Sequence, residues 1–242
     1  MIKMQKDLEI IHVDHSVSRG SLQVSILHDV SFRFRHGHSY ALTGVSGTGK
    51  STLIHLLTGL ETPTSGQVFC GEQDIYALSS EARSLLLQKE FGIIFQSPYL
   101  IDELSVVENV MLKGLIAQED EHKAREEALI LLDQVGLLDK EGQRPRSLSG
   151  GEQQRVAIAR ALYGNPSWII ADEPTAHLDR VASILIADLL LTFQQQTGAG
   201  LIVASHAPHL INSLETVLEL EGGSLEEQSQ KQILAATYQE LQ

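Results

Sequence analysis

An α/β fold, with buried strands arranged around a phosphate-binding loop, is predicted by three observations. The stretch Gly44-Val45-Ser46-Gly47-Thr48-Gly49-Lys50-Ser51-Thr52 fits G-x-x-x-x-G-K-[ST]. A short apolar segment with strand character, 39–43, precedes it, and a helical one, 52–60, follows it. Three further apolar segments, 91–96, 168–173 and 201–206, each end on a polar or ionisable residue. Buried parallel strands deliver side chains to a ligand crevice at their carboxyl ends in this way.

In that strand–loop–helix setting the glycines let the backbone curl, so that successive N–H groups point inward. The helix N-terminus adds the positive end of its dipole. Lys50 is expected to reach the β- and γ-phosphates, and the Ser51 hydroxyl to take a place on Mg²⁺. The expected ligand is therefore a nucleoside triphosphate with Mg²⁺. Gln96, at the end of its apolar segment, is expected to reach the γ-phosphate, the Mg²⁺ or the attacking water. Of the paired carboxylates at 172 and 173, Asp172 is expected to hold Mg²⁺ and Glu173 to take the proton of the attacking water. A terminal Gln, an Asp-Glu pair or a lone His is an ordinary surface feature when met alone. Their succession behind a phosphate loop gives them meaning.

Composition narrows the class. The chain has 242 residues, which suits one large domain or a core with a subdomain, and 43% of them are hydrophobic, enough for a core. A net charge of −13 argues against a nucleic-acid surface, because phosphate contact favours a basic face. Cys70 is the single cysteine, so no intrachain disulfide can form. No apolar run approaches the roughly 18 residues a membrane span needs, and residues 1–9 lack the apolar core of a signal peptide. A soluble cytoplasmic chain is expected, with membrane contact only through a partner.

In chain order, 8–13 and 24–34 read as strands joined by a turn at 18–21, with Val30, Phe32 and Phe34 on one face. Pro63 to Gly66 breaks the chain before a short strand at 67–70, and 79–89 reads as a helix. Residues 105–116 and 120–135 have helical spacing within a helical insertion. Residues 225–242 read as a polar helical tail with Ile233, Leu234, Tyr238 and Leu241 as a narrow apolar stripe.

A second anion site follows from Leu148-Ser149-Gly150-Gly151-Glu152-Gln153-Gln154-Arg155. Ser149, Gly150 and Gly151 open a helix, so free N–H groups and a hydroxyl are expected at its positive end. A nucleotide has one γ-phosphate, and two cradles in one chain make sense if the second closes on a nucleotide held by another copy. This octapeptide resembles the signature of ATP-binding-cassette (ABC) ATPases, and the resemblance runs over residues 6–225. It implies a P-loop NTPase core of the ABC type with an antiparallel β subdomain and an inserted α-helical subdomain. The core with its β subdomain would be 1–96 and 163–225, the helical subdomain with the signature 97–162, and the tail 226–242.

The resemblance also implies roles. Two cassettes would sandwich two ATP molecules, each phosphate loop facing the partner's signature. Gln96 matches the glutamine that couples core to helical subdomain, and His206 the switch histidine that contacts the γ-phosphate and Glu173. Pro174 to Asp179 matches the loop whose aspartate, here Asp179, touches the opposite site, with His177 where small or amide residues are more usual. Val17 falls at the position where an aromatic residue stacks on adenine, and whether His15 or Arg19 replaces the ring is open at this level. The implied activity is ATP hydrolysis driving a transporter, with a second cassette and integral membrane permease subunits as partners. The permease would dock near 95–104, on the inner face of the plasma membrane. Gly20-Ser21-Leu22-Gln23, Leu27 to Phe32 and 152–161 look most like the cassettes of lipoprotein-releasing transporters. Macrolide or peptide exporters and the cell-division ATPase are close cousins, and a soluble non-transport ABC ATPase is the remote alternative.

Overall fold

The computed structural model describes residues 6–20, 22–176 and 178–228, with the Arg19 side chain outside that description. Its first part is an antiparallel sheet. Strand β1 (Leu8–Arg19) pairs with β2 (Leu22–Phe34) on one side and with β4 (Ser65–Cys70) on the other, and β5 (Gln73–Asp74) closes the order β2-β1-β4-β5. β1 runs well past Val13, where the apolar alternation ends. Register shifts between Ile10 and Ser16 explain the difference, since each bulge breaks the period of two by which a strand is read. His12 and Asp29 both sit at φ 49 there, and their side chains meet at 2.6 Å. The turn is accordingly shorter than 18–21. Cys70 is buried in this sheet's core, where burial pushes its thiol up to about 12.

The second sheet carries the loop. After β3 (Ser39–Thr43) the chain enters α1 (Lys50–Leu57), passes through β4 and β5, and continues by α2 (Ser80–Glu90) to β6 (Phe91–Ile94). Three helices follow, α3 (Val106–Ile116), α4 (Glu121–Gln134) and α5 (Gly150–Leu162). Then come β7 (Trp168–Asp172), α6 (Arg180–Thr197), β8 (Gly200–Ala204), the short α7 (Pro208–Ile211), β9 (Thr216–Glu221) and β10 (Ser224–Glu227). The order is β10-β9-β3-β8-β7-β6, parallel except for the β9–β10 hairpin. That hairpin corrects the expectation of a helix beginning at Leu225. Gly222 and Gly223 both adopt positive φ between the two strands, the turn geometry that a right-twisted hairpin uses. Residues 229–242, with Ile233, Leu234, Tyr238 and Leu241, lie outside the described residues.

The parallel sheet is buried on both faces, so its strands read as continuous apolar runs. Ala41, Ile169, Ala171, Leu201 and Val203 pack into the cluster built with α3, α4, α5 and α6. Their neighbours Tyr40, Leu42, Ile170, Ile202 and Ala204 face α1 and the antiparallel sheet. Helix starts in the inserted region are set by capping. Ser105 forms a capping box with Glu108 on α3, Asp120 accepts from the Lys123 N–H on α4, and Ser149 forms a capping box with Glu152 on α5.

Helix α5 crosses β6 at Gly92, where a side-chain Cβ would stand 2.3 Å from the Ala161 carbonyl oxygen. That contact seats the signature helix against the sheet edge. Gly92→Ala is expected to cost about 1–3 kcal/mol through overpacking, read as a lowered midpoint in denaturant or thermal unfolding. An unchanged midpoint would mean that α5 moves off the sheet freely.

Candidate functional site

Four adjacent parallel strands, β3, β8, β7 and β6, end at one edge of the sheet and deliver the functional groups there. β3 leads into Gly44 and the loop, β8 into Ser205 and His206, β7 into Asp172 and Glu173, and β6 toward Gln96. The loop is shaped by its glycines. Gly44 has φ 133 and a Cβ there would lie 2.4 Å from the Leu220 carbonyl oxygen, while Gly49 has φ 107 with Ile26 Cγ2 at 2.5 Å from the same construction. Gly49 is also the N-cap of α1, so the backbone turns straight from loop into helix.

Lys50 is 7% exposed. Its ammonium donates to the Gly44 carbonyl at 2.7 Å and the Val45 carbonyl at 3.3 Å, and lies 3.1 Å from His206 Nε2. Burial pulls it below the ordinary lysine range, and the charges of Glu173 and Asp172 pull the other way. His206 Nε2 is in turn 3.4 Å from Glu173 Oε1. Glu173 sits at φ 45, strained for a side-chain residue, with its N–H held by the Ala204 carbonyl at 2.9 Å. Strain of this kind, about 1–3 kcal/mol, persists where the surrounding fold imposes it and gathers at functional sites.

The cleft around these groups has a volume of about 530 Å³, within the range of small-molecule sites. Ser46, Gly47, Gly49, Lys50, Ser51 and Thr52 form its floor; Gln96, Asp172, Glu173, Ala176 and His206 form one wall. Asp172 Oδ1 is buried without a hydrogen-bond partner. An orphaned carboxylate oxygen in a cleft that Ser51 and the phosphate loop also line fits Mg²⁺, which binds through one or two protein oxygens and takes the rest from phosphate and water. No group of three or more His, Cys, Asp or Glu that could hold a metal ion occurs among the described residues.

The remaining wall is apolar. Val17 and Ile26 line it, brought together by the β1–β2 register that pairs Val17 with Val24. Ile26 carries no motif, and only that register reveals it. His15 does not line the cleft: it is buried, with Nε2 3.5 Å from Glu61 Oε2. Tyr99 is 68% exposed with φ 45, its ring edge-on to Phe95 at 5.6 Å, and Arg160 holds the Pro98 and Tyr99 carbonyls.

Ser149, Gly150, Gly151 and Asp179 lie outside this cleft. The starts of α5 and α6 adjoin, since a Cβ on Gly151 would rest 3.4 Å from Ala182 Cβ. Asp179 caps α6, accepting from the Ala182 N–H at 2.8 Å. The expectation of a free N–H and hydroxyl at Ser149 is corrected: both donate to the Glu152 carboxylate, at 2.8 and 2.9 Å. His177 lies outside the described residues.

This arrangement defines an α/β nucleotide-binding cassette with a phosphate loop at the carboxyl edge of a parallel sheet and an inserted helical region. Residues 27–176 match the ABC transporter family. Over 222 residues the chain is 41% identical to the uncharacterized ABC transporter ATP-binding protein YbbA of Escherichia coli, covering 92% of this chain and 97% of that one. It is 39% identical over 221 residues to the uncharacterized ABC transporter ATP-binding protein Rv0986 of Mycobacterium tuberculosis, covering 91% and 89%. Among solved structures, the dimeric cassette MJ0796 in a post-hydrolysis state bound to ADP and Pi superposes with a TM-score of 0.85 at 30% identity, over 92% of this chain and 98% of that chain. The cassette cbiO1 of Clostridium perfringens, part of the ABC transporter complex cbiONQ, superposes with a TM-score of 0.82 at 26% identity, over 95% and 91%. The chain belongs to the ABC transporter family, as an ATP-binding cassette of the ATPase class.

The aliphatic wall generates a binding expectation. Without a ring to stack on, base contact loses roughly 1–3 kcal/mol, and the Val17 and Ile26 side chains offer no hydrogen bond that tells adenine from guanine, so ATP and GTP should be poorly distinguished. Val17→Tyr is expected to tighten ATP binding several-fold, and His15→Ala to change little because that side chain faces Glu61. Titration with both nucleotides checks this. A strong ATP preference that disappears in Arg19→Ala would assign the base contact to that guanidinium instead.

Proposed function

We propose that this chain is the ATP-hydrolysing subunit of an ABC transporter, acting as a homodimer on the inner face of the membrane, with integral permease subunits as its partners. The observation that carries this is the contact series Lys50–His206–Glu173 over the phosphate loop, with a second capped helix end placed outside the same cleft. No helix among the described residues is long and apolar enough to cross a membrane, so membrane contact is assigned to the partner.

The chemistry follows from the positions. Lys50, partly buried and held by carbonyls, gains most from an anion, and the β- and γ-phosphates would take its ammonium. Mg²⁺, when bound, supplies charge neutralisation at those phosphates; Ser51 and Asp172 would hold it, with Gln96 at its edge. Glu173 takes a proton from a water as that water's oxygen bonds to the γ-phosphorus and the bond to the ADP oxygen breaks. His206, between Lys50 and Glu173, keeps the carboxylate turned to the γ-phosphate position. Most of the catalysis is positioning and electrostatics. Ser149, Gly150, Gly151 and Asp179 are the groups assigned to the partner's nucleotide, which couples hydrolysis to dimer closure. Lipoprotein release is the transport assignment, supported by the resemblance of 20–23, 27–32 and 152–161 to such cassettes; it is tested by co-purification with a permease of four membrane spans and a large extracytoplasmic domain.

Glu173→Gln is expected to keep ATP binding and lose hydrolysis, leaving an ATP-bound dimer on size exclusion, because the amide cannot accept the proton. Wild-type turnover by that variant would remove Glu173 from the role.

The shared site is checked by complementation. Ser149→Arg and Lys50→Ala chains are each expected to be inactive alone, yet their mixture should recover hydrolysis, since one site of the mixed dimer carries neither defect. No recovery in chains shown to mix would place the signature in its own chain's site.

A further inference from the structure

The start of α5 already holds an anion, and it is the chain's own. One oxygen of Glu152 accepts both the Ser149 N–H and the Ser149 hydroxyl. The other takes the ammonium of Lys140, which stands in the short 3-10 turn Leu138–Lys140 after α4. The Lys140 bond first, then the two from Ser149, hold the Glu152 carboxyl well below the usual carboxylate range, at about 2. It is an anion under any physiological condition.

A capping box needs the serine and the acid, not the lysine. The start of α3 repeats the serine–acid bonds with Ser105 and Glu108, and the cation there is held more loosely, with Arg144 3.8 Å from the carboxylate. The Lys140 contact at α5 is therefore an addition to the cap. A serine hydroxyl also has a single proton. While Ser149 gives it to Glu152, no phosphate oxygen can receive it, and the same carboxylate opposes any second anion at that helix end.

We propose that Glu152 is a resident anion that nucleotide phosphate must displace from the signature cradle, and that Lys140 is the positioning residue that receives the displaced carboxylate. The inference rests on the reading that Ser149 to Gly151 meet the partner's nucleotide. Closure is then an exchange. Ser149 turns its N–H and hydroxyl from carboxylate to phosphate, and Glu152 shifts onto Lys140, which draws the negative charge away from the triphosphate. The pair sets how much ATP is needed to close the dimer without touching the cleft where ATP first binds.

The test uses the full chain carrying Glu173→Gln, with the ATP concentration for half-maximal dimer read by sedimentation and ADP affinity as the monomer control. Adding Glu152→Gln keeps a side chain able to cap and removes the charge. The half-maximal ATP concentration is expected to fall about tenfold, the scale of one like-charge contact screened nearly as in bulk water, with ADP affinity unchanged. Lys140→Met is expected to raise it by a similar factor, and to do nothing once Glu152→Gln is present. That loss of effect separates charge positioning from a merely structural role, which would be additive. An unchanged or raised concentration in Glu152→Gln, or an equal Lys140→Met effect in both backgrounds, overturns the inference. Failure of the Glu173→Gln chain to dimerise with ATP at all overturns it together with the reading beneath it, whereas dimerisation without dependence on Glu152 overturns this inference alone.

Discussion

One partly buried ammonium sets the terms for everything near it. Lys50 has given up most of its water for two loop carbonyls and a histidine nitrogen. Carbonyls satisfy hydrogen-bonding capacity but do not cancel a charge, so the group remains in want of an anion. The loop around it can close so tightly only because Gly44 and Gly49 stand where a Cβ would collide with Leu220 and Ile26. Asp172 at the end of β7 and Glu173 after it, two strands away from β3, supply negative charge but accept no hydrogen bond from Lys50. A bound triphosphate would meet the lysine, the helix end and the loop N–H groups together.

The parallel sheet is what makes that concentration of charge tolerable. Its strands are held on both faces by apolar clusters, so their carboxyl ends have little freedom, and strain can be stored there. Glu173 illustrates the consequence: its left-handed backbone is fixed by a hydrogen bond to the end of β8, the strand that leads to His206. Two groups that meet on one wall of the cleft are thus set by one interstrand contact. The antiparallel sheet serves differently, presenting Val17 and Ile26 as an apolar side to a site otherwise made of polar atoms.

Helix starts carry the second layer of electrostatics. Three of them matter, and each is handled in its own way. α1 begins on glycine with no side-chain cap, leaving its N–H groups to a ligand. α6 is capped by Asp179. α5 is capped by Ser149 and further covered by the Glu152–Lys140 pair. An uncapped helix end faces the cleft, and the capped ones lie away from it.

Spacing and residue type alone were enough to single out the phosphate loop, Asp172 at the end of β7, Gln96, Glu173 and His206 just beyond their strands, and the helix opening at Ser149. Those features are local: a loop that must curl, a buried strand that must end, a serine three residues before an acid. The bulged length of β1 and the β9–β10 hairpin were not legible as periodicity, because bulges interrupt the alternation and a short polar strand at an edge has almost none. Ile26 became part of the site only through the register of β2 on β1, and Lys140 met Glu152 only once α4 and its following turn had packed beside α5. Side chains that belong to one segment can be read from that segment. Contacts between segments depend on how far each strand slides and where each helix comes to rest, and packing alone decides that.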